Sequence, residues 1–343
     1  MSTITQVLAI DRDAPDPRVL AAAAAVIRAG GLVAFATETV YGLGADATRE
    51  DAVRRIFEAK GRPSDNPLIV HAADIDMARR YAARWPAAAQ RLAEALWPGP
   101  VTLVVPASAE LPALVTAGLA TVGLRVPAPG VARQLIRAAG VPLAAPSANR
   151  SEHVSPTSAG HVLADLRGRI ELVLDSGPTE VGIESTVVDL CGAVPRVLRP
   201  GPLSRERLAE LLGTAVAEGA DEHQPAASPG QRARHYAPRV PALRVESLPA
   251  LMRMRPRTDD AVLVVGHPPP PASANGSARV RSQPDPNAAA RQLYAVLREL
   301  DATGVRRLLV VMPPDEPVWT AVRDRLRRAT IPAGESGTGS TTG

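Results

Sequence analysis

The sequence contains one cysteine, one lysine and very few aromatic residues. Each scarcity narrows what it can be. Cys191 stands alone, so the chain has no internal disulfide framework and no thiolate cluster for a metal. Aromatics are only 3%, so a core must be built mostly from Ala, Val and Leu. Side chains on which bases could stack are correspondingly scarce. No apolar run nears the roughly 18 residues of a membrane span. No charged segment followed by an apolar one opens the chain, and the cytoplasm is the expected location. The phosphate-binding pattern G-x-x-x-x-G-K-[ST] is absent, as are H-E-x-x-H, an acidic metal cluster and a Ser/His/Asp arrangement. No protein-held metal is therefore expected. Charge of one sign is not in large excess: 39 Lys+Arg against 35 Asp+Glu leave a formal +4. That balance suits small anionic ligands better than a dedicated nucleic-acid surface.

What is present begins with length. At 343 residues, 45% of them hydrophobic, the chain can form about two domains with a sizeable core. Lys60 is the only lysine, and it lies two residues before Arg62 in Lys60-Gly-Arg-Pro-Ser-Asp-Asn66-Pro. An ammonium is a compact point charge and a guanidinium a planar fork, and together they suit a polyanion such as a nucleotide triphosphate. The plainer reading is a helix end with basic residues in its last turn, followed by a turn and a strand.

Periodicity predicts a helix over residues 17–28, with Asp16 as N-cap and Gly30-Gly31 as the stop. A short strand follows at 32–36, then a polar, glycine-containing loop at 37–47. A helix at 50–59 delivers Lys60, and a strand at 67–71 ends at His71. Helices are expected at 74–83, 86–96, 130–139 and 204–212. Strands are expected at 101–105, 121–127, 142–145, 171–174, 184–190 and 196–198. Ser155-Pro156 has helix-start chemistry, with Ser155 as N-cap of a helix running to 166. Strands and helices do not strictly alternate, so a mixed sheet is expected. Periodicity lapses from 213 to 240, which reads as a linker. Within it, Ser228-Pro-Gly230 and Arg234-His-Tyr-Ala-Pro238 are too distinctive for a plain spacer. A second α/β block covers 241–331, and the Gly/Ser/Thr tail at 332–343 is expected to be disordered.

Several positions carry possible chemistry. Gly42-Leu-Gly44-Ala-Asp-Ala47 matches G-x-G-x-x-A, but five residues separate it from the preceding strand, where a dinucleotide turn needs glycine immediately. Ser147-Ala-Asn149 follows a strand end, where α/β folds place ligands. Arg125, on a predicted buried strand, requires a carboxylate or phosphate partner. His71 at a strand end could serve as a base, a hydrogen-bond partner or a structural group.

These motifs occur in order. Thr37-Glu-Thr-Val-Tyr-Gly-Leu-Gly44, Ala59-Lys-Gly-Arg-Pro63, Asp65-Asn-Pro-Leu-Ile-Val-His71, Trp97-Pro-Gly-Pro-Val-Thr102 and Thr121-Val-Gly-Leu-Arg125 come first. Ala145-Pro-Ser-Ala-Asn149, Ser155-Pro-Thr157, Gly182-Ile-Glu-Ser-Thr-Val187, Arg199-Pro-Gly201 and Arg234-His-Tyr-Ala-Pro238 follow. Together they resemble the L-threonylcarbamoyladenylate synthase family, the YrdC-like enzymes, in its long two-domain form. The resemblance covers about residues 5–240.

It implies a twisted mixed-sheet catalytic domain at 1–212, a linker at 213–240 acting as an active-site lid, and a smaller Rossmann-like α/β domain at 241–331. It implies a nucleotidyltransferase that uses L-threonine, bicarbonate or CO2, and ATP, with Mg2+ on the phosphates. The product would pass to a tRNA threonylcarbamoyltransferase for modification of tRNA beside the anticodon, with direct tRNA binding allowed but not required. The resemblance assigns ATP to Lys60, Arg62, Asn66, Thr121, Ser147, Asn149, Ser155, Arg199 and Tyr236, with Lys60 and Arg62 as catalytic cations. It assigns threonine to Thr39, His71, Arg125, Ala145 and Ser185. The chain departs from the family pattern at Ala36, at Glu152 where glycine is usual, and at Gln231, Arg232 and Ala233. Two other readings are an RNA-binding protein with a basic concave face and a carbamoyl-transfer module of the same fold.

Overall fold

The computed structural model of the chain describes residues 3–219, 236–269 and 279–333. They fall into two compact units. The first holds the described residues through Ser151 and from Ser155 to 219; the second holds Glu152–Val154 and the described residues from Tyr236 onward. The linker motif from Ser228 to His235, including Gln231, Arg232 and Ala233, and the tail beyond Ala333 lie outside the described residues.

The strands of the first unit are β1 Gln6–Ala9, β2 Val33–Ala36, β3 Tyr41–Asp46, β4 Ile69–His71, β5 Val101–Pro106, β6 Thr121–Arg125, β7 Leu143–Ala144, β8 Leu172–Asp175, β9 Thr186–Asp189, β10 Arg196–Arg199 and β11 Ala217–Glu218. They form one sheet in the order β1-β8-β2-β3-β7-β4-β6-β5-β9-β10-β11. The sheet is mixed, as expected: β4 runs parallel to β6 but antiparallel to β7. The helices are α1 Pro17–Arg28, α2 Glu50–Lys60, α3 Ile75–Arg80, α4 Ala87–Leu96, α5 Ala113–Thr116, α6 Gly130–Ala139, α7 Ala159–Leu166 and α8 Arg205–Leu212.

The two-residue period of a strand sorts the core onto the two faces of the sheet. Ala34 and Ala36 of β2 join one cluster, with Ile56 and Leu124; Val33 and Phe35 join the other, with Ile27 and Leu135. α2 presents Val53, Ile56 and Phe57 to the first cluster, the spacing of one helix face. A fully buried side chain such as Ile56 contributes roughly 1.5–3 kcal/mol. The helix stops at Gly61, whose φ of 60° is left-handed.

Two expectations fail here. Residues 37–47 are not all loop: Tyr41–Asp46 is a fully buried strand, antiparallel to β2 and β7. Gly42, Gly44 and Ala45 carry little strand propensity, so pairing on both sides decides. Gly44 is required there, because a Cβ would lie 2.7 Å from the Phe35 ring. Ser155 is also not an N-cap. α7 starts at Ala159 and is capped by Ser158, whose side chain accepts from His161 N.

The second unit has strands β12 Ala242–Val245, β13 Asp260–Val265, β14 Arg279–Gln283, β15 Arg307–Val311 and β16 Ile331–Pro332, with helices α9 Leu248–Met254, α10 Pro286–Asp301 and α11 Thr320–Ala329. The sheet order is β14-β13-β15-β12-β16, and all its pairs are parallel. Asp260 is wholly buried and accepts from Arg307 Nε at 2.9 Å and Arg306 Nη2 at 3.2 Å. Within this unit, Ala237 N donates to Glu152 O at 2.8 Å, and the Arg298 guanidinium donates to Val154 O.

Candidate active site

α2 ends at Lys60, and the residue is buried, with 2% of its surface exposed. Its Nζ donates to Ser147 O at 2.6 Å and to Asn149 O. Its own carbonyl accepts from Ser151 N at 2.9 Å. The sole lysine thus ties the end of α2 to the segment after β7. Burial, helped by the nearby Arg62 charge, pushes its pKa well below that of an ordinary lysine. The ammonium is therefore buried and carries structural weight. Arg62 turns back on its own loop, donating to Asn66 O at 3.2 and 3.3 Å and to Pro67 O at 3.0 Å.

A second group lies at the adjoining strand ends. β4 and β6 are parallel, with His71 opposite Arg125. Arg125 is 4% exposed and donates from Nε to Gly99 O at 3.3 Å and from Nη2 to Thr39 Oγ1 at 2.9 Å. Its carboxylate partner within the chain is Glu38, 2.7 Å away and equally buried. Sequence reasoning missed Glu38, although it stands inside the quoted Thr37-Glu-Thr motif. Thr37 Oγ1 and Thr39 Oγ1 are 2.8 Å apart, which orders that turn. His71 Nδ1 is buried without a hydrogen-bond partner. Burial and the Arg125 charge push the imidazole down to about 3, so it is neutral at physiological pH. Ala145, just after β7, donates its N–H to Ile69 O at 3.0 Å, and Gly42 of β3 bridges Ser147.

A third group surrounds Ser185. Its Oγ lies 2.8 Å from Thr102 Oγ1 and accepts from Arg199 Nη2 at 3.0 Å. Arg199 also grips Ser185 O at 3.1 and 3.2 Å. The Arg199-Pro-Gly201 turn passes so near that a Cβ on Gly201 would meet Thr186 N at 2.3 Å. Ser155 Oγ donates to Glu184 Oε1 at 2.7 Å, with both groups buried.

The sheet therefore places Thr39, His71, Arg125, Ala145, Ser147 and Lys60 at or beside the ends of neighbouring strands β3, β7, β4 and β6. Thr121 does not sit with Arg125. The two mark opposite ends of β6, about 13 Å apart at ~3.3 Å per residue, yet positions 121, 123 and 125 share one face. Tyr236 belongs to the second unit. There it stacks on Tyr294 with centroids 5.6 Å apart and carries Arg325 over its ring at 5.3 Å. Its φ of 61° is unusual for an aromatic residue. Among the described residues no group of three or more His, Cys, Asp or Glu is placed to hold a metal ion, and no helix is long and apolar enough to cross a membrane.

Residues 25–201 match the Sua5/YciO/YrdC family model, described as telomere recombination, and residues 203–330 match the threonylcarbamoyl-AMP synthase C-terminal domain. The chain is 41% identical over 317 residues to the threonylcarbamoyl-AMP synthase of Pyrococcus abyssi, covering 90% of this chain and 93% of that one. The chain belongs to the threonylcarbamoyl-AMP synthase family. The Bacillus subtilis member is likewise 41% identical, over 323 residues, covering 92% of this chain and 93% of that protein. The crystal structure of Pyrococcus abyssi Sua5 complexed with L-threonine superposes with a TM-score of 0.87 at 39% identity, covering 95% of this chain and 99% of that one. The α/β architecture of this family is thus the architecture described above.

Proposed function

We propose that this chain synthesises threonylcarbamoyl-AMP from L-threonine, bicarbonate or CO2, and ATP, releasing pyrophosphate. The observation that carries the reading is 41% identity to synthases along nine-tenths of the chain. The buried polar groups at the strand ends of the first unit support it.

In this reading the threonine amine and CO2 form a carbamate by making an N–C bond and losing a proton. A carbamate oxygen then attacks the α-phosphorus of ATP, and the bond to pyrophosphate breaks. The chain must hold two anionic reactants in line and neutralise charge on the phosphates. Arg125, Thr39, His71, Ala145 and Ser185 take the amino acid. His71, being neutral, adds no second cation there and can hydrogen-bond the threonine. Lys60, Arg62, Asn66, Ser147, Asn149, Ser155 and Arg199 take the nucleotide, with Thr121 further along β6. Lys60 and Arg62 are the cations nearest the chemistry. The shared face from Thr121 to Arg125, about 13 Å long, suits an amino acid joined end to end with an adenylate. Mg2+ would be held by the phosphate oxygens of ATP and would supply charge neutralisation there, and no step is assigned to it. The product is a reactive mixed anhydride, consumed by a carbamoyl transfer to tRNA.

The test is direct. Purified chain with threonine, bicarbonate and ATP should yield threonylcarbamoyl-AMP by mass spectrometry, with one pyrophosphate for each product. Pyrophosphate release that ignores threonine or bicarbonate would refute the reading.

A further inference from the structure

Arg125 carries five N–H donors, and they are divided unevenly. Nε–H goes to Gly99 O, and Nη2 serves Thr39 Oγ1 and lies against Glu38 Oε1. Among the described residues no acceptor meets Nη1. The Nε and Nη2 side is therefore fixed by the protein, and the Nη1 side is left for a ligand.

Glu38 is itself held from several directions. Its Oε2 accepts from Ala128 N at 3.1 Å, across the end of β6. Its backbone carbonyl accepts from Glu180 N at 3.2 Å and Val181 N at 2.8 Å. Its Oε1 takes no hydrogen bond; the 2.7 Å approach to Nη2 is an ion pair outside hydrogen-bond geometry. Both side chains are 5% exposed, so solvent screens this pair little. A buried ion pair is weak evidence for stability, because desolvating both charges offsets their attraction. Its retention here is better explained by orientation.

We infer that Glu38 is a positioning residue for the amino-acid subsite: it fixes the Nη2 side of Arg125 so that Nη1 faces the substrate carboxylate. The inference rests on the reading of Arg125 as the carboxylate anchor. A guanidinium turned by even one rotamer would carry Nη1 away from that carboxylate, since the planar group moves as a whole.

The experiment is a double-mutant cycle in the full chain with Glu38→Gln, Arg125→Ala and both together. Threonine and ATP are varied separately, and pyrophosphate release is read. Gln keeps the length and the acceptor for Ala128 N while removing the charge. Glu38→Gln should raise the threonine KM at least tenfold, leave the ATP KM within twofold, and add nothing in the Arg125→Ala background. Glu38→Asp, which keeps the charge on a shorter arm, should show a smaller rise. It also supplies the same comparison if Glu38→Gln fails to fold. An unchanged or lowered threonine KM, an equal loss for both substrates, or additive effects in the cycle would overturn the inference. Should Arg125→Ala itself leave the threonine KM unchanged, the subsite reading fails and the positioning role fails with it. A large Arg125→Ala effect without a Glu38→Gln effect refutes the positioning role alone.

Discussion

Replacing Lys60 by methionine separates what the ammonium does for the fold from what it does for the nucleotide. Methionine keeps most of the apolar stem and removes the three donors. Two buried carbonyls, Ser147 O and Asn149 O, then lose their partner. A buried acceptor left unmade costs about 1–3 kcal/mol. Two of them set a gross loss of roughly 2–6 kcal/mol. Against this, an ammonium no longer has to be desolvated, a cost of the same burial that lowers its pKa. The net expectation is a loss of about 2 kcal/mol. For a unit of this size that lowers the melting temperature by roughly 4–8 °C. Circular dichroism melting of the full chain reads the first effect, and threonine-dependent pyrophosphate release reads the second, which should vanish. Lys60→Arg should also be impaired, because a planar fork does not fit where a point charge sits between two carbonyls. A melting temperature unchanged to within about 1 °C, together with turnover near wild type, would refute the reasoning on both counts.

Other outcomes follow from single features. His71 titrates near 3 when folded and near 6.5 when free, so the unfolded chain binds more protons between those values. Stability should therefore fall as pH drops from 6.5 toward 3, by at most roughly 4–5 kcal/mol; denaturant midpoints across that range should flatten in His71→Gln. Gly201→Ala must push the turn from Thr186 N. It should cost ~1–3 kcal/mol and raise the requirement for ATP through Arg199, as paired melting and kinetic measurements would show. Glu152 adopts a left-handed φ of 67°, which favours glycine. Glu152→Gly should stabilise the protein by about 1 kcal/mol, and an unchanged or lower denaturant midpoint would contradict that. Asp260→Ala leaves Arg307 against a buried surface without its carboxylate. It should destabilise the second unit by about 3–5 kcal/mol, visible as an early unfolding transition.

Much of this was legible in the sequence because local patterns carried it. α2 announces itself through Val53, Ile56 and Phe57, and Gly61 marks its end. Asp16 caps α1 as expected. The strand Tyr41–Asp46 was not legible, since its glycines answer to the crowding around Phe35 rather than to strand propensity. Ser155 and Ser158 both precede the same helix, and only the tertiary partner Glu184 decides which of them is the cap. The pairing of Glu38 with Arg125 lies on no local period. Sequence called for a carboxylate near a buried arginine but could not say that the chain supplies one of its own.

The segment Glu152–Val154 has a consequence for how the protein is made. It leaves the ribosome early, between two stretches of the first unit, yet its partners come late. Arg298, which binds Val154 O, lies 144 residues further along the chain. At ordinary elongation rates the wait is on the order of 10 s. During that interval the first unit can collapse around its own sheet while this segment awaits the rest of its own unit. The order of synthesis makes the rest of the second unit the last step for a segment flanked in sequence by residues of the first. A gene cut at any one point between the units would separate these residues permanently from the chain that completes them.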